Sequence, residues 1–265
     1  MLSSNIKPLL PLFIVAAGAN WGKCYTRDQR VKLTLPSTGS INLPAPDINL
    51  TVSYVALGHG IQNYTCASEN ATPLAIGALA VIYDITPLYP GFTSISLSAE
   101  DFTGLSANLL WNSSIPLDLP DAAAKAPGSS FPESQYQADP ANPFPASPSD
   151  LDLDGIKAKF LGFHYFDARS APTFDLVRSA GLIFSGVKTG AVKAPEDADK
   201  GVLATGAVDW LQLGDNGRGL SIDVAQVYRV VTAGGVAQAC SVSGVNDPDQ
   251  VLSVPYAAQY WFYSA

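Results

Sequence analysis

Positive charge is scarce in this chain. Fifteen Lys and Arg stand against 23 Asp and Glu over 265 residues, for a formal charge of −8. A protein of that sign lacks the basic footprint that a phosphate backbone requires, and anionic membranes repel it. No nucleic-acid partner is expected. Charged residues of both signs make up only 14% of the chain while hydrophobic ones reach 47%, which is too apolar for global disorder. Histidine occurs twice and cysteine three times, with no CxxC and no His-spaced pair, so no metal site is expected. No apolar run approaches the roughly 20 residues of a membrane span. The nucleophile elbow G-x-S-x-G is absent. So is the dinucleotide signature G-x-G-x-x-G. Gly58-His59-Gly60 continues Ile61-Gln62-Asn63, and Gly217-Arg218-Gly219 continues Leu220-Ser221-Ile222, each without the third Gly. No cofactor is expected.

The first segment reads as an address. Lys7 gives a short positive region, residues 8–17 are apolar, and Ala17-Gly18-Ala19 puts small residues at −3 and −1. This fits a secretory signal peptide over residues 1–19 and a secreted, extracellular or cell-wall protein. The sequons at Asn49, Asn63, Asn70 and Asn112 agree with that, and two or three of them are expected to carry glycan. In an oxidising compartment three cysteines leave one over. Of the three pairings, Cys66–Cys240 is favoured because each partner sits beside a strand-like segment; Cys24 lies just after the cleavage point.

Twenty Pro and 22 Gly imply many turns and few long helices. Residues 20–47 are polar and Pro-dotted, an N-terminal extension. Residues 50–57 and 61–66 alternate in hydropathy around Gly58-His59-Gly60, which reads as a hairpin. Residues 73–84 form an apolar run suited to a buried strand. Ser98-Ala99-Glu100-Asp101 resembles a capping box, with Asp for Glu, before a short helix over residues 102–110. Residues 116–149 carry eight prolines and form a long insertion, packed on the surface or mobile. Strand-like segments resume at 160–166, 173–176, 182–187, 207–213, 222–232 and 260–263. The expectation is a single mainly β domain over residues 48–265. It is an antiparallel β-sandwich or barrel with one short helix and the Pro-rich insertion at 116–149.

Several segments, taken in order, are familiar. They are residues 55–66, His164-Tyr165-Phe166 with Pro172-Thr173-Phe174-Asp175-Leu176, Val208-Asp209-Trp210-Leu211, Val227-Tyr228-Arg229-Val230, and residues 255–263. Together they resemble a family of secreted fungal proteins built on a domain of unknown function, over about residues 45–265. Members often carry the automatic name malate dehydrogenase, which the missing dinucleotide signature argues against here. The resemblance implies no established activity. Members commonly hold a further cysteine in the stretch matching residues 82–89, which this chain lacks.

His164 is the foremost candidate for chemistry, with Asp167 and Asp175 near in sequence. A His oriented by a carboxylate is a general base. The alternative is a buried His bonded to backbone. On a strand Asp167 points opposite His164 unless the strand ends there. Asp84, Asp209 and Asp223 are further carboxylates on or near strands. Trp210, Tyr228 and Arg229 are candidate ligand-binding residues. Trp111, Trp210, Trp261, Tyr260 and Tyr263 would make a sugar platform if exposed, although rings on both faces of residues 260–263 more simply mean a strand buried on both sides. Asp150-Leu151-Asp152-Leu153-Asp154-Gly155 has the opening spacing of a calcium loop but no Glu at the twelfth position. The expected function is non-catalytic extracellular binding of a polysaccharide or a small apolar ligand. An extracellular hydrolase using His164 and nearby carboxylates is the alternative.

Overall fold

The first strand runs straight through its own glycines. In the computed structural model, which describes residues 31–243 and 250–265, β1 (Thr51–Thr65) is continuous. The hairpin expected at Gly58-His59-Gly60 is not formed. These glycines relieve crowding and do not turn the chain. A Cβ on Gly58 would lie 2.6 Å from the Tyr260 ring, and one on Gly60 would lie 1.9 Å from the Leu79 carbonyl oxygen. The alternation stays in phase across them, so Val55, Leu57 and Ile61 share one apolar cluster while Ala56 belongs to another.

The remaining strands are β2 (Leu74–Asp84), β3 (Leu151–Leu153), β4 (Ile156–Phe166), β5 (Pro172–Leu176), β6 (Leu182–Val192), β7 (Trp210–Asp215), β8 (Gln226–Gly234) and β9 (Leu252–Ser264). The protein is mainly β. Every pairing is antiparallel. The order is β2-β1-β9-β8-β7-β6-β5-β4-β3, and β2 also pairs with β4. That extra ladder, Ala80 opposite His164 and Val81 opposite Phe163, turns the sheet into a closed ring of strands with β3 appended. Each ring strand is thereby hydrogen-bonded on both sides over part of its length.

Each ring strand has an enclosed and an outer face. The enclosed face carries Ala56, Ile82, Leu161, Phe174, Phe184 and Tyr260, all buried in one cluster. The outer face of β1, β8 and β9 is covered by α1 (Ala99–Asn112), whose Phe102, Leu105 and Leu109 pack against Val55, Val230 and Trp261 in a second cluster. Ser98 caps this helix by accepting from the Asp101 backbone N–H, as the sequence indicates. The strand of residues 260–263 is buried on both sides, again as read from its rings.

The Pro-rich insertion is packed. Leu117, Leu119, Ala124 and Tyr136 are buried in the same outer cluster as the helix. Two further one-turn helices, α2 (Val177–Ala180) and α3 (Cys240–Ser243), stand where the sequence led us to expect only one helix. Their length of one turn is too short for a 3.6-residue period to register. The acidic Asp150–Gly155 segment is a hairpin, with Asp154 and Gly155 at φ 51° and 86° between paired Leu153 and Ile156. Asp152 and Asp150 there pair with Lys157 and Lys159.

Cys66 and Cys240 form a disulfide across a sequence separation of 174. Closing so long a loop is worth roughly 4–5 kcal/mol on the chain-entropy model. The segment read as a signal peptide, and Cys24, lie outside the described residues.

Candidate functional site

A cavity of about 820 Å³ lies within the ring, at the end where β1 finishes and β2 begins. Its size suits a small molecule. Phe174, Leu211 and Leu213 give it apolar walls, and Phe166 stands at its exposed rim. The opposite end of the ring is filled by Phe262, Val227, Leu176 and Ile82. The cavity is therefore what remains where the enclosed side chains become small or polar.

His164 is in its wall and 3% exposed. Its ring stacks on Phe174 with centroids 4.1 Å apart. Nδ1 donates to the Thr173 carbonyl at 2.9 Å, which fixes the neutral tautomer with Nε2 as acceptor. Burial pushes its pKa down to about 4, and the Arg229 charge adds to that, while the Thr173 bond opposes it.

The carboxylates proposed beside His164 are engaged elsewhere. Asp167 sits just past β4, accepts from the Arg169 and Ala171 backbone N–H groups, and pairs with Arg218. These bonds, led by the backbone one at Ala171 and then Arg218, hold its pKa down to about 2. Asp175 accepts from the Val177 N–H. Among the described residues, the recorded partner of the His164 imidazole is Thr173, and no carboxylate orients it.

Of the three ligand-binding candidates, only Arg229 lines the cavity. It is 9% exposed on β8, and its Nε and Nη2 donate to the Asp209 carbonyl at 3.2 and 2.8 Å. Trp210 and Tyr228 occupy the outer cluster. Tyr228 donates to the Pro44 carbonyl and accepts from Gln212. Strand alternation explains the split, because residues 211 and 229 face inward and their neighbours 210 and 228 face outward. Of the other carboxylates considered, only Asp209 lines the cavity, where it pairs with Lys193.

The aromatic platform is not formed. Trp210, Trp261, Tyr260 and Tyr263 are buried, and the half-exposed Trp111 donates its indole N–H to Asp199. Among the described residues no cluster of three or more metal-ligating side chains occurs.

Sequence reasoning missed the other cations of this cavity, Arg169, Lys188, Lys193 and Arg218. They come from separate strands and loops of the β4–β8 stretch, which the sheet order sets side by side.

The fold and cavity define a mainly β protein with a ligand-sized space among its strands. By its sequence the chain belongs to the family described as protein of unknown function (DUF3455), which it matches over residues 46–264. No curated protein and no solved structure matches it.

Proposed function

We propose that this is a secreted glycoprotein that binds, without transforming, a small and largely apolar molecule inside its ring of strands, which we read as a barrel. The cavity carries this reading: about 820 Å³, walled by Phe174, Leu211 and Leu213 and open at one end. Burial of the candidate platform rings favours a small ligand over a polysaccharide. The hydrolase reading has less support, since His164 is tied to Thr173 and, among the described residues, no carboxylate is bonded to it.

A neutral fluorescent probe, N-phenyl-1-naphthylamine, tests the binding. Saturable enhancement at one site per chain is expected, and it should fall at least about tenfold in affinity in Leu211→Trp, which fills the space. Enhancement that is unsaturable, or indifferent to Leu211→Trp, would remove the reading.

Secretion has its own test. Asn49, Asn70 and Asn112 are exposed, whereas Asn63 is half-buried within β1 and accepts from the Ser253 hydroxyl. Peptide mapping of the product from a eukaryotic secretion host should find glycan at the first three and none at Asn63. Glycan at Asn63, or at no site, would contradict this assignment.

A further inference from the structure

The cavity is cationic in a chain that is acidic. Arg169, Lys188, Lys193, Arg218 and Arg229 line it, against the single carboxylate of Asp209. Asp167 takes Arg218, and Asp209 takes Lys193. Among the described residues no carboxylate pairs with Arg169, Lys188 or Arg229.

Arg229 decides the matter because it is buried. A guanidinium has five N–H donors. Two of them serve the Asp209 carbonyl, and the guanidinium lines the cavity with no carboxylate paired to it among the described residues. A buried charge with no counter-ion is costly unless an anion joins it. The planar fork of Arg is matched to a carboxylate. Neighbouring groups point the same way. His164 is neutral and contributes no competing charge, and the exposed Arg169 and Lys188 at the rim attract anions to the opening. The apolar walls offer little to a sugar's hydroxyls.

We propose, on the basis of the binding reading above, that the natural occupant is a small amphipathic organic anion. Its carboxylate sits on Arg229 and its apolar body lies against Phe174, Leu211 and Leu213. Arg229 thus sets specificity, and the walls supply the bulk of the contact.

Calorimetry on the full chain with two matched probes, decanoate and decanol, tests this. Decanoate is expected to bind about tenfold or more tightly than decanol, the scale of one charge-assisted pair. Arg229→Met should bring the two within about threefold of each other, and Arg229→Lys should restore part of the preference. If Arg229→Met fails to fold, the comparison on the unaltered chain still decides. Equal affinity for the two probes would overturn the anion assignment and leave the binding reading intact. Binding of neither probe, nor of N-phenyl-1-naphthylamine, would overturn both.

Discussion

Acidification from pH 6.5 towards 4 will cost the folded chain several kcal/mol of stability. Both of its histidines are buried and neutral. Burial pushes His164 down to about 4 and His59 down to about 3. In the unfolded chain each imidazole takes up its proton near pH 6.5. Between that point and the folded values, the unfolded state binds more protons, so stability rises with pH and falls as acid is added. The stability is fully present above about pH 6.5 and drains away towards 4 for His164 and towards 3 for His59. His59 is the starker case. It lies on the outer face of β1 between Leu57 and Ile61, 1% exposed, and neither ring nitrogen has a partner among the described residues. Denaturant unfolding at pH 7.5, 6, 5 and 4.5 should show the decline. His59→Leu should remove its own share of the decline, keep that of His164, and leave stability at pH 7.5 equal or higher, because two unpaired nitrogens are removed. A wild-type chain equally stable at pH 7.5 and 4.5 would contradict the burial of neutral imidazoles.

Adding one methyl group at Gly60 or at Gly162 will cost more than about 4 kcal/mol, enough to prevent folding. A Cβ at Gly162 would lie 2.1 Å from the Asp175 carbonyl oxygen, and one at Gly60 even closer to that of Leu79. Both obstacles are backbone atoms of the adjacent strand, which cannot move without breaking the ladders that join β1 to β2 and β4 to β5. Gly104 provides the contrast. It lies within α1, has nothing within 4 Å of its Cβ position, and Gly104→Ala should stabilise by about 1 kcal/mol. Urea unfolding of the three variants checks this. Gly60→Ala or Gly162→Ala with a near-native midpoint would refute the close approach.

These glycines also mark where the sequence is readable and where it is not. A Gly that permits a turn and a Gly that admits a neighbouring strand look alike in one dimension, and Gly58-His59-Gly60 was read as the wrong one. Local signals fared better. The Ser98 cap, the doubly buried residues 260–263 and the Cys66–Cys240 pair were all legible, because each depends on spacing or on what flanks it. The β2–β4 pairing was not, since Ala80 and His164 are joined across the whole Pro-rich insertion. The cavity inherits that limit. Arg229 stood out as a charge within an apolar strand, whereas Lys188 and Arg169 gained meaning only once the strands had paired around the cavity. His164 and Asp167 were close in sequence, but the end of β4 sends the carboxylate to Arg218.

The place of β9 in the ring sets an order of events during synthesis. It lies between β1 and β8, so the first strand gains its second neighbour only when the ninth has been made, and Leu57 then meets Gln259. Until that moment β1 exposes the backbone groups and apolar residues that β9 will cover. Nascent chains of this protein must therefore pass through a long interval of sticky, incomplete structure, with folding finishing after translation of β9.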